Sequence, residues 1–595
     1  MNSLEGLVKE ELKQAFKQAF SKEIDVDQFQ LQPTRKDFDG DMTLVVFPLL
    51  RFSGSSPEKT AESIGAALIK ISMLVDKFQV VKGFLNLSVK NSYWISFFKS
   101  IQNDSNYGFK PVKSGQKFMV EYSSPNTNKP LHLGHLRNNF LGNSIARILE
   151  ANGNEVIKVQ IINDRGIHIC KSMIAWKLFG NGETPESSNT KGDHLVGKYY
   201  VEFDKQYKAQ IETLISSGKT KEEAEKEAPI MLQAQEMLRK WEANDAETLL
   251  LWEKMNAWVY EGFEKTYRTM GVEFDKLYYE STTFLIGKEK VEEHLSNDAF
   301  YSKEDGSIWV NLSDHKLDDK LLLRSDGTSV YMTQDIGTAI IRQEEFNCEQ
   351  YFYVVGNEQD YHFKVLAIVL EKMGFEWASG IEHLSYGMVD LPSGKMKSRE
   401  GTVVDADDLM EEMKRTAAEI SNESGKIDSF SESEKDQLHF SIGMAALKYY
   451  ILKVDPKKRM LFDPKESIDF NGNTGPFIQY AYARIQSILS KLNLSQTDLN
   501  VDAESLLEED LALIKILHTL PQMIDEAATL KSPAIVANYC YELVKTFNHF
   551  YQNTPPIIKE ENQNIKAFRF HLIQVVGDVI KRTCSLLGIN VPNRM

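Results

Sequence analysis

Hydrophobic positions near the start of the chain recur at the spacing of an α-helix. They are Leu4, Leu7, Val8, Leu12, Phe16 and Phe20. Ser56-Pro57-Glu58 is typical of a helix start, and an amphipathic pattern continues from there to about Leu74. Residues 80–87 then alternate between apolar and polar as in a β-strand. These patterns predict a small N-terminal α+β domain that ends in the turn-rich stretch 103–115.

A second pattern begins with the apolar run 117–122. The run enters a loop at residues 123–126, because Pro125 has no N–H to donate. A helix is predicted from about His132 to Glu150, followed by a strand at 155–162. Strand, loop, helix and strand in this order form a βαβ unit. Such a unit implies a parallel sheet with a ligand at the strand ends.

The rest of the chain contains charged regions with a helical pattern and short apolar runs typical of buried strands. Residues 184–271 are helical and charged, which predicts a helical insertion. The α/β pattern returns at Leu321–Leu323 and at Gln350–Val355, where we expect the sheet to resume, and from about Ser441 the pattern is almost all helical. The predicted domains are 1–115, 116–390 with the insertion at about 184–271, 391–470 as a connecting stem, and 471–595 as an all-α bundle.

Composition narrows the class of protein. The 69 Lys and Arg against 85 Asp and Glu give a net charge of −16, which argues against non-specific coating of nucleic acid. No apolar run is long enough for a bilayer helix. The four cysteines are too scattered for a disulfide framework or a zinc knuckle, which indicates a reducing compartment. Glu5, Glu10 and Glu11 argue against a transit peptide, so we expect a cytoplasmic protein.

The most informative local motif is Leu131-His132-Leu133-Gly134-His135, where the loop enters the predicted helix. Histidines three positions apart can face one ligand, and Gly134 allows an anion to approach the backbone. The N–H groups and dipole of a helix start favour phosphate. The alternative is a pair of capping or partly buried histidines, and a zinc site is weaker because no further ligand completes the spacing.

A basic loop is predicted at Leu391–Gly401, ahead of a helix that Asp405 can cap. Lys395, Lys397 and Arg399, together with the hydroxyl of Ser398, suit the changing charge of a triphosphate in a transition state. By itself, such a segment would more often be a solvated hairpin.

Together these two motifs resemble the signatures of the class I aminoacyl-tRNA synthetases, in which both loops hold ATP between the halves of a Rossmann fold. The longer stretch 121–137, Glu-Tyr-Ser-Ser-Pro-Asn-Thr-Asn-Lys-Pro-Leu-His-Leu-Gly-His-Leu-Arg, is similar to the signature of the arginyl-tRNA synthetase family. The resemblance covers nearly the whole chain and is weakest in the N-terminal unit and the insertion. It extends through 163–166, 331–339, 354–363 and 472–481.

The resemblance implies roles for residues at the ATP end. His132 and His135 would contact the ATP phosphates, with Gly134 between them, and Gly356 with His362 would line the adenosine side. The family's loop reads Lys-Met-Ser-Lys-Ser, whereas here the fourth position is Ser398 and the fifth is Arg399. Many members of the family instead carry a lysine just ahead of the histidine signature, which Lys129 matches. Pyrophosphate contact is therefore expected from Lys129 and Lys395, with Met396, Lys397, Ser398 and Arg399 completing the ATP-binding set.

At the amino-acid end, the resemblance implies that Asn126, helped by Gln359, holds the α-amino group of arginine. Glu121, Tyr331 and Asp335 match the positions that the family uses for the guanidinium. A planar group with five donors is well complemented by two carboxylates and a phenol oxygen. Other readings remain open. Asp335 could stabilise a helix start capped by Thr333, Tyr331 could be core, Glu121 a structural ion, and Gln359 a helix cap.

The resemblance also implies substrates and partners. No protein side chain needs to act as a covalent nucleophile, Mg²⁺ is expected on the ATP phosphates and not in a protein cage, and tRNA is the macromolecular partner of a monomer. The helical C-terminal domain would read the anticodon, and the N-terminal unit would touch the outer corner of the tRNA. Cations and aromatic residues that could contact RNA are Lys448, Lys453, Lys457, Lys458, Arg459, Tyr539, Tyr541, His549, Tyr551, Lys581, Arg582 and Arg594.

Three other functions remain as alternatives. A small nucleotidyltransferase also uses a His-x-Gly-His loop, but it needs no helical bundle of this length. A non-catalytic RNA-binding relative would have an eroded site, whereas both signature histidines and Lys395 are present. A synthetase for another amino acid is the nearest alternative, and a double substitution of Tyr331 and Asp335 would discriminate between the two.

Overall fold

The computed structural model describes residues 3–35, 37–112, 117–294, 298–390, 404–423, 430–492 and 501–595. The chain forms two compact units. The first contains residues 1–107, 489–519 and 546–576, and the second contains residues 108–488, 520–545 and 577–595. The predicted C-terminal bundle is thus divided between both units. Among the described residues, no helix is both long and apolar enough to cross a membrane.

The N-terminal part of the first unit packs helices on a four-stranded antiparallel sheet. Its elements are α1 Leu4–Phe20, β1 Gln30–Pro33, β2 Met42–Val45, α2 Leu50–Ser53, α3 Pro57–Ile71, β3 Val75–Val81, β4 Phe84–Val89 and α4 Asn91–Ile101. The strand order is β1-β2-β4-β3. Ser3 and Ser56 cap α1 and α3 with their side chains, and Val8, Leu12 and Phe16 bury the predicted face of α1.

The strand predicted at 80–87 is wrong as a single element. The chain turns at Lys82 and Gly83, which have φ values of 49° and 80°, and β3 pairs antiparallel with β4 across this hairpin. Glycine adopts positive φ without strain, so Gly83 permits a turn in the middle of an alternating run.

The second unit begins with the predicted βαβ pattern and its insertion. Its elements up to residue 323 are β5 Lys117–Glu121, α5 Leu133–Ala151, β6 Glu155–Ile162, α6 Ile167–Phe179, α7 Pro185–Ser188, α8 Gly192–Ser216, α9 Lys221–Glu227, α10 Pro229–Glu242, α11 Ala246–Met270, β7 Lys276–Tyr279, α12 Glu280–Glu293, β8 Phe300–Ser302, β9 Ile308–Val310 and β10 Lys320–Leu323. The described residues of the insertion contain helices and no strand, as predicted.

The remaining elements complete the sheet and add helices. They are α13 Tyr331–Phe346, β11 Gln350–Gly356, α14 Asp360–Lys372, β12 Ile381–Tyr386, β13 Val389–Asp390, α15 Ala406–Glu423, α16 Glu432–Leu452, β14 Met460–Leu461, α17 Pro464–Ser467, α18 Gly475–Lys491, α19 Glu508–His518, α20 Leu520–Leu530, α21 Pro533–Asn553 and α22 Gln563–Leu586. All four cysteines lie in the second unit, where they are buried free thiols.

The main sheet is parallel throughout, in the order β12-β11-β5-β6-β7. The strand order reverses between β5 and β11, because the chain builds outward from β5 on one side and returns on the other. In open parallel sheets, ligands bind beyond the carboxyl ends of the strands at such a switch point. The loop after β5 carries the histidine motif, which places it at this position.

The expectation that Leu321–Leu323 rejoins the main sheet is wrong. β10 pairs antiparallel with β9 in a separate three-stranded sheet of order β10-β9-β8. Leu322 and Leu323 are still buried in the same hydrophobic core as Tyr351 and Tyr353 of β11. An apolar run reports burial of the strand, but it does not say which partner the strand pairs with.

Candidate active site

The histidine motif forms the first turn of α5. His132 is the N-cap residue, and its Nδ1 accepts from the backbone N–H of Gly134 at 3.2 Å. His135 returns the contact, because its Nδ1 accepts from the N–H of His132 at 3.1 Å. The two rings lie 3.9 Å apart between centroids. Both histidines therefore cap the helix, as the alternative interpretation proposed. In each ring, only Nε2 is not used by these backbone hydrogen bonds.

These hydrogen bonds decide which ring nitrogen carries the proton. A backbone N–H can only donate, so each Nδ1 holds a lone pair and the neutral ring carries its hydrogen on Nε2. Burial, reinforced by the charge of Lys129, lowers the pKa of His132 to about 3. Burial, reinforced by the charges of His132 and Lys129, lowers the pKa of His135 well below its ordinary value. At neutral pH the motif is a pair of uncharged N–H donors at a helix N-terminus.

Lys129 lies just ahead of this pair and is half-buried. Burial lowers the pKa of its ammonium group. Within the described residues, no carboxylate forms an ion pair with it. A desolvated cation beside neutral donors favours an anionic ligand.

A second chain segment runs beside the histidine motif. The N–H of Leu133 donates to the carbonyl oxygen of Val404 at 3.1 Å, and the N–H of Ala406 donates to that of Leu131 at 2.9 Å. Asp405 caps α15, as predicted, by accepting from the N–H of Asp407 at 2.8 Å. The basic loop ends just before this segment, but Lys395, Met396, Lys397, Ser398 and Arg399 lie outside the described residues.

Gly356 ends β11, three residues beyond Tyr353, which pairs with Glu121 at the end of β5. A Cβ at Gly356 would lie 2.5 Å from the carboxylate of Glu358, an exposed and flexible side chain that could move aside. At Gly134, a Cβ would lie 3.0 Å from the His132 ring. Without a side chain, Gly356 leaves its backbone accessible at the end of β11 and Gly134 does so at the start of α5, where the resemblance expects ATP.

Three polar residues assigned to arginine binding present exposed side chains. Tyr331 begins α13 and is 76% exposed, so the reading as a core tyrosine is wrong. Gln359 is exposed, and its side chain does not cap α14. Asn126 is exposed on the loop after β5, where its backbone pairs with Asn163 after β6.

Asp335 and His362 were expected to serve different substrates, yet the structure brings them into direct contact. The distance from His362 Nε2 to Asp335 Oδ2 is 2.5 Å. Asp335 lies in the first turns of α13, whose N-cap is Val330. The reading of Thr333 as N-cap is therefore wrong, and its hydroxyl donates to the carbonyl oxygen of Leu322.

Glu121 ends β5 and forms a buried ion pair with Arg342 of α13. The Arg342 guanidinium lies over the rings of Tyr278 and Tyr353, 4.8 and 5.8 Å from their centroids. Burial opposes its charge, but the Glu121 carboxylate more than offsets this and raises the pKa of Arg342. Glu121 is thus already paired with an internal guanidinium. This agrees with the alternative that Glu121 is a structural ion. Its assignment to the substrate guanidinium is revised accordingly.

Glu280 is a candidate that the sequence did not reveal. It begins α12 directly after β7, at the same end of the sheet, and its carboxylate is hydrogen-bonded to Gln334. Burial raises its pKa to about 7, with Arg165 opposing and with Asp164 and Asp335 adding to the rise. A short aromatic strand followed by an acid was the available signal, but β7 has four residues and follows the insertion.

The neighbouring Asp164 joins the insertion to the start of α12. Its carboxylate accepts from the Tyr260 hydroxyl at 2.9 Å and from the N–H of Ser281 at 2.9 Å. Its carbonyl oxygen accepts from the indole N–H of Trp252 at 2.6 Å. Asp164 therefore fastens α11 to the first turn of α12, one residue from Glu280.

The residues expected to face RNA behave differently from one another. Lys448 is 6% exposed, and its ammonium donates to the carbonyl oxygen of Gly588 at 2.5 Å, so its inclusion in a basic surface patch is wrong. Burial lowers its pKa to about 7. Lys457 and Lys458 are exposed. Tyr539 is buried, as most aromatic residues at helical spacing are.

Models of known protein families match three parts of this chain. The family model for the catalytic domain of class I (R) tRNA synthetases matches residues 99–463, that for the DALR anticodon binding domain matches 478–595, and that for the arginyl tRNA synthetase N terminal domain matches 6–89. The chain therefore contains the catalytic domain of a class I aminoacyl-tRNA synthetase.

Relatives narrow this class. An arginine–tRNA ligase of Bacteroides thetaiotaomicron is 56% identical over 583 residues, which covers 97% of this chain and 98% of the relative. One from Flavobacterium psychrophilum is 54% identical over 606 residues and covers both chains fully. This protein belongs to the arginine–tRNA ligase family. The arginyl-tRNA synthetase structure from Thermus thermophilus shares the fold, with a TM-score of 0.78 at 22% identity and full coverage of both chains.

Proposed function

We propose that this protein activates L-arginine with ATP and then transfers arginine to the 3′ end of its cognate tRNA for protein biosynthesis. The observation that carries the proposal is the pair of neutral histidine donors at the N-terminus of α5, at the switch point of the sheet. Family membership supports the same reaction. It disfavours the small nucleotidyltransferase, because models for both terminal domains match as well.

In the first step, the carboxylate of arginine attacks the α-phosphorus of ATP. A new P–O bond forms, the bond to the bridging oxygen breaks, and pyrophosphate leaves with both electrons of that bond. Negative charge grows on the transferring and leaving phosphates. The Nε2–H groups of His132 and His135 can donate to these oxygens, and Lys129 supplies a nearby positive charge. By resemblance, Lys395 shares the pyrophosphate with Lys129, and Met396, Lys397, Ser398 and Arg399 complete the ATP site.

The arginine side chain is assigned to polar residues after the end of β7 and at the start of α13. Asp335, Tyr331 and Glu280 would receive the guanidinium, with Glu280 replacing Glu121 in the assignment made from sequence. Two carboxylates and a phenol oxygen match the donors of a planar guanidinium. His362 contacts Asp335 and would orient the Asp335 carboxylate, in addition to its expected place on the adenosine side. Asn126 and Gln359 remain assigned to the α-amino group, and Gly356 to the adenosine side.

The second step transfers arginine to tRNA. The terminal ribose hydroxyl attacks the mixed anhydride, forming an ester and releasing AMP. Alignment of the two substrates is the main contribution expected of the protein. The C-terminal domain would bind the anticodon and the N-terminal unit the outer corner of the tRNA. The proposal also includes the four predicted domains, with boundaries at residues 115, 390 and 470.

Magnesium is expected to enter with the ATP phosphates. Within the described part of the chain, one grouping of metal-capable side chains occurs, formed by Asp193, His194 and Asp407. The Lys191 ammonium already pairs with both carboxylates, so this grouping does not fit a resident cation. We also propose that the protein acts as a monomer in the cytoplasm, a reducing compartment that suits its four free thiols.

The test is exchange of labelled pyrophosphate into ATP, with arginine, with lysine as control, and with or without cognate tRNA. Exchange that requires arginine supports the proposal. A further requirement for tRNA would mean that RNA binding completes the site. Exchange with lysine would overturn the specificity, and no exchange under any condition would overturn the activity.

A further inference from the structure

A compact charge cluster lies outside the residues assigned to substrates. We call it the junction cluster, and it consists of Lys191 before α8, Asp193 and His194 in α8, and Asp405 and Asp407 at the start of α15. Lys191 Nζ lies 2.5 Å from Asp407 Oδ2 and 3.1 Å from Asp193 Oδ2. His194 Nε2 lies 3.2 Å from Asp407 Oδ2 and 3.4 Å from Asp405 Oδ2.

The insertion supplies one more contact. The hydroxyl of Thr266, on α11, lies 3.3 Å from Asp407 Oδ2 and also receives a hydrogen bond from Lys191. Two helices of the insertion thus hold one carboxylate. Helices α8 and α11 pack closely here, because a Cβ at Gly262 would lie 2.3 Å from the Asp193 carboxylate.

The cluster is strongly coupled electrically. Burial alone would raise the pKa of Asp407, but hydrogen bonds from His194 and Lys191 lower it to about 2. The hydrogen bond to Asp407 raises the pKa of His194 above its ordinary value, against the effect of burial. Lys191 faces Asp193 and Asp407, and His194 faces Asp405 and Asp407, so the excess of negative charge favours a protonated His194. The cluster is therefore a network of charge-assisted hydrogen bonds.

The network acts on the segment that runs beside the histidine motif. Asp405 and Asp407 flank Ala406, whose N–H donates to the carbonyl oxygen of Leu131. The carbonyl oxygen of Val404, the residue before Asp405, accepts from the N–H of Leu133. The backbones of Asp405 and His132 pair as an antiparallel bridge. The side chains of the insertion therefore anchor the backbone against which His132 is set.

We propose that Lys191 and His194 are positioning residues for adenylate formation, because they hold the Asp405–Asp407 turn that pairs with the turn containing His132. This inference rests on the proposed function and adds to it. The helical insertion thereby gains a role in the chemical step, through α8 and α11. Neither residue needs to touch a substrate.

The experiment compares His194→Ala, His194→Gln and Thr266→Val with the unchanged full-length protein. Pyrophosphate exchange gives kcat and the KM for arginine, and hydrogen exchange reports the amides of Leu133 and Ala406. Misplacement of a reacting group by about 1 Å can cost up to about 100-fold in rate. We expect His194→Ala to lower kcat about tenfold or more, with KM for arginine within about twofold, and to speed exchange at both amides.

His194→Gln should restore both readouts, because its amide N–H can take the place of Nε2–H. Thr266→Val is nearly isosteric and should fold even if His194→Ala does not, with an effect in the same direction of about threefold. Lys198→Ala is the matched control. It removes a cation of α8 that pairs with Glu183, away from the cluster, and should leave both readouts unchanged.

The outcomes separate the two proposals. Unchanged amide protection at Leu133 and Ala406 in both His194→Ala and Thr266→Val would overturn the positioning role, whatever the activity. Faster amide exchange with unchanged kcat would overturn it as well. Absence of exchange activity in the unchanged protein would instead overturn the proposed function, while the amide measurement would still test whether the cluster holds the turn.

Discussion

The two ends of the proposed active site use opposite electrostatic strategies. At the phosphate end, His132 and His135 bond to the backbone through Nδ1 and stay neutral, and Lys129 lies nearby with no ion-pair partner among the described residues. At the guanidinium end, Glu280 and Asp335 contact other side chains, and burial holds the Glu280 carboxyl partly protonated near neutral pH. The anion site thus offers fixed dipoles, whereas the cation site keeps an acid that the ligand itself can ionise.

This difference suggests why each arrangement suits its ligand. Fixed N–H donors need no reorganisation as charge develops on phosphate, so their effect is greatest in the transition state. Arginine keeps the same charge throughout the reaction, so its recognition belongs in the ground state. The paired Glu121 and Arg342 are a third case, in which a carboxylate at a strand end is already neutralised.

Removing the internal guanidinium should have the largest effect. Arg342→Met would leave the Glu121 carboxylate buried without its partner, which costs about 3–5 kcal/mol of unfolding free energy. Urea unfolding followed by tryptophan fluorescence measures this, since six of the seven tryptophans lie in the second unit. The double variant Glu121→Leu/Arg342→Met should recover most of the loss. A loss below about 1 kcal/mol in the single variant would return Glu121 to the substrate site.

Lys129→Ala should come next. A cation acting mainly in the transition state contributes to the rate, so we expect adenylate formation to fall by about 100- to 1000-fold with arginine affinity nearly unchanged. Single-turnover kinetics measure the step directly. Lys158→Ala is the control, because Lys158 is also half-buried but pairs with Glu150. Near-normal turnover in Lys129→Ala would refute its role.

Glu280→Gln tests the cation site. Loss of one charge-assisted hydrogen bond of about 1.5–3 kcal/mol should raise the KM for arginine by roughly 10- to 100-fold, with the KM for ATP unchanged. Glu273→Gln changes an exposed acid nearby and should leave both constants unaltered. If Glu280→Gln bound arginine as well as Glu273→Gln does, the assignment of the guanidinium to Glu280 would be wrong.

Arginine affinity should depend on pH in a defined direction. The Glu280 pKa is raised to about 7, so the carboxylate forms as pH rises through that value, while arginine stays charged. Affinity should therefore increase up to about pH 7 and level off above it, with up to about tenfold loss per pH unit below. Calorimetric titration across pH 6–8 measures this. In Glu280→Gln the dependence should vanish, and if it persisted another group would be responsible.

Local features of the site were predictable, whereas pairings across the chain were not. The histidine turn and the cap at Asp405 depend on neighbouring residues, so motif and spacing were sufficient. Arg342 pairs with Glu121, although the whole insertion separates the two residues along the sequence, and Glu280 follows a strand of only four residues. Periodicity shows that such residues are buried, but the partner depends on strand order. The same limit explains β10, which has the pattern of a buried strand and pairs in another sheet.

The buried thiols give this protein a built-in reporter of opening. Burial raises the pKa of Cys170 to about 12 and that of Cys348 to about 11, and Cys540 and Cys584 are equally shielded. An alkylating reagent should leave the native chain unlabelled, because the thiolate is the reactive form. Since all four cysteines lie in the second unit, labelling during denaturation would time its opening while the first unit contributes nothing. A single cysteine engineered onto the surface could likewise carry a fluorophore without removal of the native ones.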